Sequence, residues 1–362
     1  MKRKIKILLT IPNFETAGSK KVLFDLANGL DKEEFDVSIA CDHNKGAFFQ
    51  EIEKLGLPIF IIKTTTAYRP YFSLARRMQP VVGFLKKHKF DIVHSWHWSS
   101  DWTEPLAARR AGAKFVYTKK AMSWGNKHWK IRSYLAHFIF TINEEMRSYF
   151  PNKKNQELVP LGINTHYYSP DHFPSKTKGR SFEIVTVANL VPVKGIEVLI
   201  KALALINDDT VRLKIVGGGD PDYIASLKTL SKGQGVMDQV AFLGKQMDVR
   251  PFIARSDVYV IPTLNEGRKE GMPMALVEAM SMGVPVLGSD ISGINFVLKD
   301  FPYLLFSPAA ESELAKRLQE IMALEVAERK ALGNRLRNYC NDHFAMEQFI
   351  ENTERIYKNL VH

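Results

Sequence analysis

Residues 182–217, FEIVTVANLVPVKGIEVLIKALALINDDTVRLKIVG, open with a β-rich run, FEIVTVA, and pass the turn residues Asn189, Pro192 and Gly195 into an apolar helical stretch. They close with a second β-rich run, VRLKIVG. Runs that are apolar on both faces belong to strands covered by helices on both sides. Repeating strand, helix, strand implies a parallel sheet wound on both faces. Downstream the pattern continues through QVAFLG (239–244), DVYVIPT (257–263), VPVLGS (284–289) and YLLFSP (303–308), then three helical stretches ending in MEQFIENTERIYKNL (346–360). Upstream it runs through KIKILLT (4–10), FDVSIAC (35–41), PIFII (58–62), DIVHS (91–95), KFVYT (114–118), FIFTI (138–142) and QELVP (156–160). Helices there include SKKVLFDLANGL (19–30), entered at Gly18, and WTEPLAARRAG (102–112). Between the two series, GINTHYYSPDHFPSKTKGRS (162–181) lacks periodicity and reads as a connection. The expectation is an α/β chain of two tandem doubly wound domains, 1–165 and 182–345, with a linker at 166–181, a cleft between the domains, and the last helix, 346–362, packed back on the first. Ligands bind such sheets at the carboxyl ends of their strands.

Composition narrows the classes. The 362 residues suffice for two cores, and 45% hydrophobic with 25% charged excludes a disordered or collagenous chain. Cys41 and Cys340, far apart in sequence, make neither a disulfide framework nor a metal knuckle, which fits a reducing cytoplasm. The start, MKRKIKILLTIPNFE, is basic like a signal peptide, but its apolar run ends at Ile11 before Pro12, and no window approaches a membrane span.

The formal charge of +11 is uneven: residues 1–170 hold 27 Lys and Arg against 15 Asp and Glu, and residues 171–362 hold 23 against 24. The excess mingles with aromatics in YRPYFSLARRMQPVVGFLKKHKF (68–90) and KFVYTKKAMSWGNKHWKIRSYLAHFIF (114–140). A solvated face above core aromatics, or a surface for anionic lipid or a lipid-linked acceptor, accounts for this mixture. Nucleic acid is disfavoured, because no nucleic-acid motif accompanies the charge.

The most informative chemistry lies in EGRKEGMPMALVEAMSMGVPVLGSD (266–290). Gly271 and Pro273 mark a helix entry whose backbone N–H groups, with Met272, form an edge for anions and hydroxyls. Glu270 stands ahead of that helix, and Glu278, roughly two turns later, returns to the same face about 12 Å away. One carboxylate can then take sugar hydroxyls and the other ribose hydroxyls. The glycines of KIVGGGDPD (214–222) lack dinucleotide spacing. Asp220 and Asp222 mimic a metal-binding pair, but a Gly-Asp-Pro turn accounts for them, so neither they nor the glycines mark a metal or cofactor site.

The two glutamates and the flank EAMSMGVPVLGSDISG resemble the signature of the retaining nucleotide-sugar glycosyltransferases of family 4, which have the GT-B fold. VANLVPVKGIEVLIKALA (187–204) resembles that family's donor-diphosphate loop, LVPLGIN (158–164) its interdomain element, and FETAGSKKVLFDLANGL (14–30) its N-terminal glycine loop, with Ala17 in place of one glycine. The resemblance spans nearly the whole chain. It implies metal-independent transfer of a sugar from a UDP or GDP sugar to a glycan or lipid-linked acceptor, with retention and without a covalent enzyme nucleophile. Such a reaction serves polysaccharide, lipopolysaccharide or glycolipid synthesis, in the cytoplasm or peripherally at an anionic inner membrane face. Lys194 and Asn189, with N–H groups near Gly18, would hold the diphosphate, helped by Arg268 or Lys269. Glu270 would orient the sugar beside Gly271, Met272 and Pro273, Glu278 would anchor the ribose, and the strand end from Phe242 to Gly244 would meet the base. Two departures stand out: Asn189 replaces the usual arginine, and Lys120 replaces a histidine near the reacting sugar, leaving His97 as the candidate for a sugar or acceptor contact. A non-catalytic nucleotide-sugar-binding protein, an epimerase on the same fold and an oxidoreductase remain as alternatives.

Overall fold

The computed structural model describes residues 3–15, 18–174, 181–267 and 270–361. The chain divides into two compact units, Met1–Gly162 with Met346–His362, and Ile163–Ala345.

In the first unit the order is β1 (Ile5–Ile11), α1 (Ser19–Gly29), β2 (Phe35–Cys41), α2 (Phe49–Glu53), β3 (Ile59–Ile61), α3 (Leu74–His88), β4 (Ile92–Ser95), α4 (Thr103–Ala111), β5 (Lys114–Lys119), α5 (Lys127–Leu135), β6 (Phe138–Thr141), α6 (Glu144–Ser148) and β7 (Gln156–Leu158). Its seven-stranded sheet runs β3-β2-β1-β4-β5-β6-β7, with every pair parallel. Helix α3 shows why a chain of this composition covers such a sheet: Leu74, Met78, Val81, Val82 and Leu85 fall on one face and are buried in one cluster with Phe115, Tyr117 and Trp129.

The second unit contains β8 (Phe182–Val187), α7 (Ile196–Ile206), β9 (Val211–Val216), α8 (Pro221–Gly233), β10 (Val240–Phe242), α9 (Arg250–Ala254), β11 (Val258–Ile261), α10 (Met274–Ser281), β12 (Val286–Ser289), α11 (Ser292–Val297), β13 (Leu305–Phe306), α12 (Glu311–Ala323) and α13 (Val326–Phe344). Its sheet order is β10-β9-β8-β11-β12-β13, again parallel throughout. Both sheets are doubly wound. In each the strand order reverses once, between β1 and β4 in the first and between β8 and β11 in the second. Chains leaving two such strands turn to opposite faces, which opens a crevice at their carboxyl ends. Residues 163–174, expected to fall partly in the first domain and partly in the linker, belong to the second unit: Tyr168 is buried, and its carbonyl accepts from Ser281 Oγ at 2.7 Å. The rest of the expected connection, 175–180, lies outside the described residues.

The last helix, α14 (Met346–Val361), belongs to the first unit. Its seam of Met346, Phe349, Thr353, Ile356 and Tyr357 is buried. The helix lies so close to α1 that a Cβ on Gly29 would stand 2.3 Å from Ile350 Cδ1. Tyr357 reaches the middle of the sheet, where its hydroxyl lies 2.5 Å from His94 Nδ1, and Thr118 Oγ1 lies 2.8 Å from the other ring nitrogen.

Burial, then the charge of Lys120, pushes the His94 imidazole from 6.5 down to about 3. The unfolded chain therefore takes the proton first as pH falls. Stability owed to the neutral ring is complete above pH 6.5 and drains away toward pH 3. We expect the melting temperature to drop as the pH is lowered from 7 to about 4.5, and His94→Gln, less stable at neutrality, to show a shallower fall. An unchanged slope in the variant would remove His94 from that acid sensitivity.

Candidate active site

The second unit's crevice is built from the loops that leave β8 and β11. After β8 the chain continues the ladder: Ala188 N–H donates to Val216 O at 3.0 Å and Leu190 N–H to Gly218 O at 2.8 Å. This close run explains two of the three glycines. A Cβ on Gly217 would lie 1.7 Å from Ala188 O, and one on Gly219 2.0 Å from Leu190 O. The glycines thus let two backbones meet, and Asn189 sits exposed between the two ladder residues. Asp220 caps α8 by accepting from Asp222 and Tyr223 N–H.

A short turn over Pro192–Lys194 then leads to Gly195, at φ +63°. A Cβ there would stand 2.1 Å from Pro262 O, and Leu264 N–H donates to Val193 O at 2.8 Å, so the β8 and β11 loops are fastened to each other. That fastening delivers Lys194 to Glu270, and the ammonium donates to the Glu270 carboxylate with both groups partly buried. From the other side α11 presses close, since a Cβ on Gly293 would meet Glu270 O at 2.4 Å.

Glu278 lies on α10 and accepts from the Tyr168 hydroxyl at 3.0 Å. Tyr259, buried on β11, feels both carboxylates: burial first, then the charges of Glu278 and Glu270, push its phenol well above the ordinary range. The charges of both glutamates are thus felt at one buried ring. Their separation is not set by helical rise, however. Helix α10 opens at Met274 with Pro273 as its cap, so Pro273 is not in the first turn and Glu270 stands four residues ahead of the helix. Gly271, Met272 and Pro273, between them, are buried.

At the end of β10, Phe242 is half-buried and the Gly244 carbonyl already accepts from Gly217 N–H at 2.9 Å. Arg268 and Lys269 lie outside the described residues. Thr263, which no sequence motif marks, is fully buried just past β11, and its hydroxyl has no hydrogen-bond partner among the described residues.

Gly18 and His97 belong to the first unit. Gly18, at φ +43°, precedes α1, and its carbonyl accepts from Lys21 N–H at 3.0 Å. His97 is 6% exposed beyond β4, at the first sheet's own reversal. What fills that crevice is Glu104, which no sequence signal marks. One of its oxygens accepts from Thr10 Oγ1 at 2.6 Å and Thr64 Oγ1 at 2.8 Å, and the other from Ser95 Oγ at 2.6 Å and the buried Arg132 at 3.1 Å. Burial opposes the charge, but His97 once it is protonated, Arg132 and the hydroxyls outweigh it and hold the carboxyl down to about 2. His97 Nε2 lies 3.8 Å from Glu104 and has no hydrogen-bond partner among the described residues. Burial lowers its pKa, so the ring is neutral near neutrality. Lys120 reaches Ser19 Oγ at 3.3 Å and lies 5.3 Å from the Trp96 ring centre.

Residues 16–167 match the model of Glycosyltransferase Family 4, and residues 169–339 match that of glycosyl transferases group 1. An uncharacterized glycosyltransferase of Haemophilus influenzae is 24% identical over 311 residues, covering 79% of this chain and 81% of that protein. An N,N'-diacetylbacillosaminyl-diphospho-undecaprenol alpha-1,3-N-acetylgalactosaminyltransferase of Campylobacter jejuni is 22% identical over 350 residues, 86% of this chain and 90% of that one. The crystal structure of Anabaena HepE in complex with UDP-glucose superposes with a TM-score of 0.81 at 18% identity, over 98% of this chain and 100% of the other.

Two substitutions test this geometry. Gly195→Ala places a methyl group on the Pro262 carbonyl and strains a left-handed backbone, so the second unit should melt earlier by several degrees, with Lys194 and Glu270 drawn apart in the variant's crystal structure. A variant with the parent's melting temperature and an intact ion pair would show that the close approach is not required. Glu104→Gln leaves Arg132 buried without its carboxylate, and the first unit should lose about 3 to 5 kcal/mol in urea denaturation, part of it recovered by adding Arg132→Met. A loss under about 1 kcal/mol would reduce the cluster to packing.

Proposed function

Because this chain belongs to glycosyltransferase family 4 and has the GT-B fold, we propose that it transfers a sugar from a uridine or guanosine diphosphate sugar to a hydroxyl acceptor with retention of anomeric configuration. The observation that carries this reading is the pairing of Lys194 with Glu270 at the β8–β11 reversal. The costly event in such a transfer is breakage of the anomeric C–O bond, which builds negative charge on the departing phosphate. An ammonium already aimed into the crevice stabilises that charge without reorganising. With donor bound, Lys194 exchanges Glu270 for the diphosphate, and Asn189 adds a hydrogen bond but no charge. Glu270, released, accepts from the sugar hydroxyls, while Glu278, steadied by Tyr168, accepts from the ribose. Phe242 and Gly244 flank the base. The acceptor oxygen attacks on the face from which the diphosphate leaves, and its proton passes to the departing phosphate oxygen, so the enzyme supplies no covalent nucleophile and needs no metal. On the acceptor side, His97 offers a polar group to a sugar hydroxyl.

Support comes from two directions. The Anabaena structure holds UDP-glucose, and the Campylobacter relative is named for an acceptor carried on diphospho-undecaprenol. We therefore assign the acceptor to the glycan or lipid-linked class, in cell-surface polysaccharide, lipopolysaccharide or glycolipid synthesis, met at an anionic membrane face. Among the described residues no helix is long and apolar enough to cross a membrane.

A panel of UDP and GDP sugars read by thermal shift identifies the donor, since a ligand that binds only the folded state raises its melting temperature. With that donor and a suitable acceptor, Lys194→Ala should lower kcat by about 10²- to 10³-fold while melting close to the parent, and Glu270→Gln should do likewise. NMR of the product should show the donor's anomeric configuration. Rates near the parent's in either variant, or an inverted product, would overturn the mechanism. Binding without transfer across a broad acceptor panel would favour a non-catalytic binding protein, the reading to which Asn189 lends weight.

A further inference from the structure

The basic, aromatic stretches of the first half each expose rings and cations. Phe72, 92% exposed, and Tyr71, 58% exposed, sit on a short turn before α3, and Tyr134 on α5 is 82% exposed. Helix α5 is amphipathic in an unusual sense: Trp129, Arg132 and Ser133 face inward, while Lys127, Lys130, Ile131 and Tyr134, spaced as one helical face, are all exposed. The turn and the helix are joined by Tyr68, whose ring centre lies 6.0 Å from Tyr71, 4.9 Å from His128 on α5 and 6.0 Å from Trp102. Trp102 Nε1 in turn donates to His128 Nδ1 at 3.0 Å.

The turn is braced from within. Arg77 donates to Ala67 O at 2.8 Å, to Pro70 O at 3.0 Å and to Ser73 Oγ, so its guanidinium holds the turn in place. Arg69 and Arg76 stay exposed beside the aromatics, as do Lys127 and Lys130 on α5. No Asp or Glu occurs anywhere in residues 54–90 or 105–143, the two stretches that supply this surface. Exposed aromatic and aliphatic side chains held on a rigid base, ringed by cations without a compensating anion in those stretches, suit one environment best. Rings enter the headgroup zone of a bilayer while the cations meet anionic headgroups. A nucleic acid would instead require a groove that tracks a phosphate chain with rings stacked along it.

We infer that the turn at Arg69–Phe72 and the outer face of α5 form a single docking surface for an anionic lipid bilayer. Phe72, Tyr71, Ile131 and Tyr134 enter the headgroup region, and Arg69, Arg76, Lys127 and Lys130 bind the lipid charge. This deepens the lipid-linked acceptor reading proposed above, but it is tested without any glycosyl transfer.

The purified full chain should co-sediment with vesicles of phosphatidylcholine and phosphatidylglycerol and hardly at all with phosphatidylcholine alone, and added salt should weaken the binding. Phe72→Ser with Tyr134→Ser should cut binding by about tenfold or more. Arg76→Glu with Lys130→Glu should abolish the preference for anionic vesicles. Both double variants should keep the circular dichroism spectrum and the donor-induced melting shift of the parent. Equal binding to neutral and anionic vesicles, no binding to either, variants that bind like the parent, or tighter binding to single-stranded RNA through the same residues would each overturn the surface. Vesicle binding by a chain that no nucleotide sugar stabilises would uphold the surface and overturn the donor reading. A donor-responsive chain indifferent to vesicles would do the reverse.

Discussion

The second unit's chemistry depends on an approach between two backbones that leaves no room for a side chain. The Pro262 carbonyl occupies the place where Gly195 would carry its Cβ, and the hydrogen bond from Leu264 to Val193 locks the two loops in that register. Strands β8 and β11 lie side by side, but their onward chains turn to opposite faces, so strand pairing by itself does not oblige the loops to meet. Because they meet at Gly195, the residue before it, Lys194, must project toward the loop after β11, where Glu270 waits. An ion pair on two freely moving loops would lose most of its attraction to side-chain and loop entropy. Here the backbone has already met that cost, and the pair starts from a fixed geometry that an incoming diphosphate can exploit.

The two sheets put their reversal points to opposite uses. In the first unit the space beyond β1 and β4 is filled by Glu104, satisfied by three hydroxyls and Arg132. Buried charges whose lone pairs are occupied hold one arrangement, because moving any member strands the others. In the second unit Lys194 and Glu270 are only partly buried and, among the described residues, each has the other as its ionic partner, so an anionic ligand can compete for the ammonium. His97 stands at the margin of the first arrangement, neutral and close to Glu104, with no hydrogen bond to its Nε2 among the described residues. A neutral imidazole in that position is suited to a sugar hydroxyl, which can both donate and accept.

How much of this could be read in advance depends on the range of the interactions. Alternating apolar runs located the strands to within a few residues, because strand burial on both faces is written in consecutive positions. The nearness of Lys194 to Glu270 could be anticipated because each belongs to a short loop with its own pattern. Glu104 was not. Its partners Thr10, Thr64, Ser95 and Arg132 come from four different segments of the chain, and no local spacing marks a residue whose role is defined by the sheet order. Gly217 and Gly219 show the converse: three glycines after a strand invite a phosphate-loop reading, and only the structure shows that they accommodate Ala188 and Leu190 instead. Pro273 fell one residue short of the helix it was expected to begin, a difference decided by cap geometry.

The excess charge of the first half teaches the same distinction between composition and placement. Arg132 is fully buried against Glu104, Arg77 braces its own turn, and Lys119 is buried over the Trp129 ring with its ammonium donating to the Ala121 and Ser123 carbonyls. Burial, then Arg132, brings the Lys119 amine down to about 7, so this lysine is only partly charged at neutrality. Paired with Glu104 or partly discharged, Arg132 and Lys119 add little to the field outside the protein, whereas Arg77, held by neutral oxygens, keeps its charge. Of the outward cations, Arg69, Arg76, Lys127 and Lys130 stand out because they lie in the same segments as the exposed rings of Tyr71, Phe72 and Tyr134. A count of basic residues would have spread the charge over the whole domain. Sorting them by what each touches picks out the four that share two short segments with the exposed rings, and cations beside exposed aromatics suit a lipid surface better than a point ligand.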